Sequence, residues 1–200
     1  MYICYMNALI LLGIKHCGKS TQGRLLSKHF ACPLFDTDDV IQAMTGKSPR
    51  QIYTEQGEAA FIAAEADACQ HLSRQLAERT HQAKPYAAVI ATGGGICKNE
   101  KALQTLRALG TLIFLNAQEK TAADRIVREA KTDASGAPTN LPAYIAKEHP
   151  QTLDDVRASF HRFYEERTKA YRALCDITVT MTPAPPEENM RCIVNALRSN

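Results

Sequence analysis

The stretch Gly13-Ile14-Lys15-His16-Cys17-Gly18-Lys19-Ser20 constrains this chain more than any other. It follows the apolar run Ala8–Leu12 and leads into a helical pattern over 21–28. Glycine, four residues, then Gly-Lys-Ser between a strand and a helix is the setting of a phosphate-binding loop. The glycines let successive backbone N–H groups converge on an anion, and the positive end of the following helix points at the same spot. Lys19 is then placed to reach the β- and γ-phosphates, and the Ser20 hydroxyl to ligate Mg²⁺. We expect a nucleoside triphosphate to be held by Gly13, Lys15, His16, Cys17, Gly18, Lys19, Ser20 and Thr21.

Two hundred residues with 45% hydrophobic content suit one globular domain with a full core. A net charge of +3 is compatible with an anionic substrate and argues for neither nucleic acid nor membrane. The seven cysteines are scattered, odd in number and without a Cys-x-x-Cys pair, which fits a reducing compartment and excludes a zinc knuckle. The six histidines have no metal-ligand spacing. The first residues lack a basic n-region, and no apolar stretch approaches a membrane span. A cytoplasmic monomer without nucleic-acid or membrane partners is the expectation.

Beyond the loop, Cys32–Asp36 reads as a short strand ending in a carboxylate, followed by Asp36-Thr37-Asp38-Asp39 and a short helix stopped by Gly46. One of those acids suffices as a helix cap, so three exceed what a cap requires. Gln51–Gly57 reads as a helical turn ended by glycine, and Glu58–His81 as one long helix with Phe61, Ile62, Ala66, Cys69, Leu72 and Leu76 at helical spacing. Tyr86–Ala91 is a buried strand broken by Thr92-Gly93-Gly94-Gly95, a turn that needs either unusual dihedrals or a close approach to the backbone. Helices are expected over 99–108 and 119–130, strands over 110–115 and 176–180, a charged helix over 152–174 and a closing helix over 187–197. Lys131–Pro142 has turn composition and no periodicity, the pattern of a mobile loop.

Five short apolar strands alternating with helices predict an α/β fold of three α/β/α layers around a five-stranded parallel sheet. Ligands of such sheets gather beyond the carboxyl ends of the strands. Those ends carry Gly13–Ser20, Asp36–Asp38 and Gly93–Gly95, so the three irregular features fall on one rim and predict one site.

These motifs in this order resemble the shikimate kinase family, of the nucleoside-monophosphate-kinase type of P-loop fold. The resemblance runs through Gly13–Ser20, Asp36-Thr37-Asp38, Gly57-Glu58-x-x-Phe61-x-x-x-Glu65, Thr92–Gly95 and Glu166-Arg167 with Tyr171. It implies a single kinase domain over 1–200, with substrate-binding helices over about 38–81 and a mobile lid over about 129–150. It implies transfer of the ATP γ-phosphoryl group to the 3-hydroxyl of shikimate, with Mg²⁺. By that resemblance Lys19 and Asp38 are catalytic, and Ser20 and Asp36 hold the metal. Asp38, Gly93, Gly94, Gly95 and Arg167 bind the acceptor, a small hydroxylated and carboxylated molecule. Arg125 stacks on adenine, with the Pro183–Pro186 turn on its other side.

Two positions depart from the family pattern. Ile62 stands where the family has an arginine that clamps the acceptor carboxylate, which leaves Glu65 without its usual partner. The lid run Ala137–Pro142 has no basic residue, where the family has an arginine that closes onto the phosphates. Arg50, Arg128 and Lys131 are the candidate replacements. Three functions therefore remain open on the sequence: a shikimate kinase with compensating cations, a kinase for another small hydroxylated molecule, and a non-catalytic nucleotide-binding module.

Overall fold

The computed structural model describes residues 7–78 and 85–199. The end of the helix expected to reach His81, the N-terminal residues 1–6 and Cys4 lie outside them. Strand β1 (Ala8–Leu12) is buried at every position because it runs through the middle of the sheet, covered on both faces. It pairs in parallel with β3 (Ala88–Ala91) on one side and β4 (Gly110–Ala117) on the other. The edges are β2 (Leu34–Asp36) and β7 (Ile177–Met181), giving five parallel strands in the order β2-β3-β1-β4-β7. In β7 the residues Ile177, Val179 and Met181 are buried and Thr178 and Thr180 are exposed, the alternation of an edge strand with one covered face.

From β1 the chain steps outward to β2 through α1 (Lys19–Phe30), and every later crossover steps the other way. Right-handed crossovers therefore put α1 on one face, with α8 (Pro186–Arg198) packed against it. The opposite face carries α3 (Pro49–Ala77), α4 (Glu100–Leu109) and α7 (Leu153–Leu174), the last crossover also including α5 (Glu119–Glu129). Three layers result, as the alternation of elements predicts. In the core, Phe114 of β4 stacks on the buried ring of Tyr171 from α7 at 5.3 Å between centroids.

Gly57 ends one helix and the next begins directly after it, as the sequence predicts: the chain from Pro49 to Ala77 is helical on both sides of a single residue at φ 87°, ψ 176°, so α3 is two helices joined at a kink. One expectation changes. The segment expected as a loop without periodicity carries secondary structure: β5 (Lys131–Thr132) and β6 (Pro138–Thr139) form a small antiparallel hairpin, followed by α6 (Ala143–Ala146). Asp133 builds the hairpin's turn by accepting N–H bonds from Ser135 and Ala137. Leu141, Pro142 and Ile145 are buried, and α6 packs against both α3 and α7.

Candidate active site

The carboxyl end of β1 runs directly into the glycine loop. A Cβ at Gly13 would stand 2.7 Å from Cys17 Sγ and 2.9 Å from the Leu115 carbonyl, at φ 146°, so only glycine fits. Gly18, at φ 101°, precedes α1 without any side-chain cap, which leaves the first N–H groups of the helix open to an anion. Lys19 lies along the loop, its Nζ donating to the carbonyls of Gly13 at 2.7 Å and Ile14 at 2.8 Å. Arg125 of α5 donates to the His16 carbonyl at 2.6 Å. The His16 ring is held below its ordinary pKa by burial first, opposed by Glu129 at 3.4 Å.

The β2–α2 junction brings the acids to the same rim. Asp36 caps α2 (Thr37–Thr45) by accepting the Asp38 N–H at 3.1 Å, and its other oxygen accepts the Ser20 hydroxyl at 3.1 Å. Buried Thr37 accepts the Gly93 N–H at 3.0 Å and ties α2 to the glycine turn. Asp38 opens into the cleft, yet the walls around it and the neighbouring Asp36 charge raise its pKa above the usual carboxylate value, desolvation being the larger cause.

After β3 two of the three glycines admit close neighbours. A Cβ on Gly94 would come within 2.8 Å of the Lys15 backbone nitrogen, and one on Gly93 within 2.8 Å of Glu65 Oε1. Arg167 reaches this turn from α7, donating to the Gly94 carbonyl at 3.1 Å. It is buried, with its guanidinium over the Tyr144 ring at 4.1 Å and near that of Phe163 at 5.5 Å. Glu65 is also buried and accepts from Asn99 Nδ2 at 3.0 Å through one oxygen, while Oε1 has no partner among the described residues. Burial is the main reason that its pKa rises to about 7.

Two cavities open on this rim. One, of about 400 Å³, is lined by the loop residues Lys15, His16, Lys19 and Ser20, by Asp36, and by Arg125. The other, of about 320 Å³, is lined by Arg50, Phe61, Ile62, Glu65, Tyr144 and Arg167, among others. Lys15, Asp38 and Gly94 line both, so a nucleotide in the first and a small molecule in the second would meet at Asp38.

The shikimate kinase family model matches residues 15–198. The chain belongs to the shikimate kinase family. A shikimate kinase of Desulforudis audaxviator is 33% identical over 166 residues, covering 83% of this chain and 74% of that protein. The crystal structure of the Aquifex aeolicus shikimate kinase is 30% identical, covers 96% of this chain and 97% of its own, and superposes with a TM-score of 0.67. An Acinetobacter baumannii shikimate kinase in complex with shikimate, 21% identical at a TM-score of 0.73, covers 98% of this chain and 94% of its own and shares the fold.

Most of the residues that the shikimate kinase resemblance nominates line the two cavities. His16, Gly18, Lys19, Ser20, Thr21, Arg125, Asp36 and Gly93 line the first, Gly95 and Arg167 the second, and Lys15, Asp38 and Gly94 both. Gly13 and Cys17 do not face the cavity: both are buried beneath the loop, where Cys17 Sγ lies 3.7 Å from Lys19 Nζ. The Pro183–Pro186 turn does not line it either; the Pro186 carbonyl accepts from Gln22 Nε2 of α1. Of the three candidate replacement cations, Arg50 lines the second cavity, whereas Arg128 and Lys131 line neither. Ser20 and Asp36 offer a neutral and an anionic oxygen side by side, a donor pair that suits a hard cation completed by phosphate oxygens and water.

Several contributors escaped the sequence. Asn99 caps α4 with Oδ1 and uses its amide group on the Ile62 carbonyl and Glu65, and only its capping position before Glu100 was a signal. Tyr144 sits in a stretch without periodicity, and nothing in the sequence marks it as the ring over Arg167.

Proposed function

We propose that this protein transfers the γ-phosphoryl group of ATP to a hydroxyl of shikimate, releasing ADP. The observation that carries the reading is the meeting of a phosphate-loop cavity and a small acceptor cavity at Asp38, within a chain of the shikimate kinase family. Asp38 accepts the hydrogen bond of the attacking hydroxyl and takes up its proton as the new P–O bond forms and the β–γ bridging bond breaks. Its raised pKa makes it a better proton acceptor than an ordinary aspartate. Lys19 leaves its loop carbonyls for the β- and γ-phosphates, and the backbone of Gly93 and Gly94 lines the transfer path. Arg167 binds the acceptor carboxylate by its planar fork, kept in orientation by Tyr144 and the Gly94 carbonyl. Ser20 and Asp36 would hold Mg²⁺, which would offset negative charge on the transferring phosphates.

In this reading α2 and α3 form the acceptor side and residues about 129–150 the lid of one domain. Both cavities are complete within one chain, which supports action as a monomer. No helix among the described residues is long and apolar enough to cross a membrane. Cys17, Cys69, Cys97, Cys175 and Cys192 are free thiols, which fits a reducing cytoplasm. The apolar side chain of Ile62 in the acceptor wall supports a second reading, a less anionic hydroxylated acceptor for the same chemistry.

ADP release with ATP, Mg²⁺ and shikimate tests the first reading, with phosphorus NMR of the product. Turnover is expected, and Asp38→Asn is expected to lose about a hundredfold or more in kcat while ATP binding persists. Absence of ADP above the blank with shikimate, alongside turnover of a neutral polyol, would establish the second reading instead.

A further inference from the structure

The acceptor cavity is lined by five cations, Lys15, Arg50, Lys98, Lys147 and Arg167, and their partners separate their roles. Lys15 belongs to the phosphate loop and also faces the nucleotide cavity. Lys98 is neutralised by Glu166 at 3.0 Å. Lys147 rests over the Phe163 ring at 6.0 Å. Arg167 is buried between Gly94 and two aromatic rings. Arg50 lies exposed in the first turn of α3, lines this cavity and not the nucleotide one, has no carboxylate partner among the described residues and, unlike Lys147 and Arg167, lies against no aromatic ring described here.

Its guanidinium is nonetheless aimed. Nη1 donates to Asn140 Oδ1 at 3.1 Å, a neutral bond that leaves the charge uncompensated and the remaining N–H groups available. Asn140 is itself fixed from two sides: its Nδ2 donates to the Glu129 carbonyl at 2.9 Å, and its backbone takes the left-handed conformation at φ 57°. The lid run Ala137–Pro142, which has no cation of its own, thus holds one that belongs to the helix across the cavity. Ser48 and Gln51 hold the base of that helix in a reciprocal cap, so the backbone beneath Arg50 is set as well.

We propose that Arg50, oriented by Asn140, is the second cation binding the acceptor's carboxylate, opposite Arg167, and so a specificity-determining residue of this enzyme. The assignment rests on the shikimate reading above. An acidic acceptor is then held by two arginines from different helices, one buried and one supplied at the rim by the lid, while its hydroxyl end meets Asp38. Asn140 acts through Arg50 and is a positioning residue.

Calorimetric titration in the presence of Mg·ADP tests this without requiring turnover, using shikimate and its uncharged methyl ester as probes. Arg50→Ala is expected to weaken shikimate binding about tenfold or more and to leave the ester and ADP affinities unchanged. Arg50→Lys restores part of the loss, because the charge returns without the fork. Asn140→Ala weakens shikimate binding less than Arg50→Ala, and adds nothing in the double variant. Unchanged shikimate affinity in Arg50→Ala, or equal losses for acid and ester, would overturn the assignment while leaving the kinase reading standing. If the wild-type protein binds ADP but neither the acid nor the ester, the acceptor reading falls, and the Arg50 assignment falls with it.

Discussion

Glu65 carries the sharpest residue-scale consequence of this site. One oxygen is on Asn99, the other has no partner among the described residues, and the side chain is 1% exposed. Its pKa rises from 4.5 to about 7 in the folded protein, chiefly through desolvation. The folded state therefore holds the proton more tightly than the unfolded chain. The stability this contributes is complete below about pH 4.5 and is lost as pH rises through about 7, an effect of about 3 kcal/mol at most. Glu65→Gln keeps the acceptor for Asn99 and removes the ionisation. Thermal melts should show the variant more stable than wild type at pH 8, with the two converging near pH 5. A variant no more stable at pH 8 would mean that the carboxylate is ionised at little cost. The family resemblance already marked Glu65 as lacking its usual arginine partner, because Ile62 stands at that position. That its free oxygen lies beside Gly93 depended on where β3 ends, which spacing along the chain does not encode.

At the scale of elements, the kink in α3 organises the acceptor side. Gly57 takes φ 87° and ψ 176°, a region essentially restricted to glycine, and nothing crowds the place of a Cβ. The cost of Gly57→Ala is therefore conformational, about 1–3 kcal/mol, and denaturant melts would measure it. The kink sets the angle between the turns bearing Arg50 and Tyr53 and those bearing Phe61, Ile62 and Glu65. The same variant should accordingly weaken shikimate binding and leave ATP binding unchanged; equal losses of both ligands would show that the damage spreads beyond α3. Glycine after a helical turn reads in sequence as a stop, and Gly57 is one; a second helix begins at once beyond it and is held by burial of Ala66, Cys69, Leu72 and Leu76. The short elements of the lid are not legible in the same way. Its strands are two residues each and α6 is four, too short for any periodicity to register, although Leu141 and Ile145 are fully packed.

For the whole molecule, strand order decides that the three irregular turns become one site. The phosphate loop follows the central strand β1, and the glycine turn follows its neighbour β3, linked by the Thr92 hydroxyl donating to the Leu11 carbonyl at 3.0 Å. A ligand seated across β1, β3 and β2 stabilises the entire sheet rather than one loop. Mg·ATP at about a hundredfold its Kd should therefore stabilise the protein by about 2.7 kcal/mol, raising Tm by several degrees. Lys19→Ala is expected to abolish most of that shift without lowering the Tm of the protein alone by a comparable amount, since Lys19 Nζ bonds only its own loop. A shift that survives in Lys19→Ala would place the nucleotide elsewhere.

By itself the sequence determined the strand–loop–helix that binds phosphate, the acids after β2, the triple glycine after β3 and the alternation that makes the sheet parallel. All of these are local patterns of period, turn chemistry and backbone permissiveness, which neighbouring residues dictate. Tertiary structure alone decided which cations face the acceptor, that Asn140 holds Arg50, that Tyr144 covers Arg167 and that Glu65 is buried against Gly93. Those contacts join residues far apart in the chain, such as Arg50 and Asn140, or Gly94 and Arg167. They exist only once packing of the core has fixed where each helix end and each lid residue can lie.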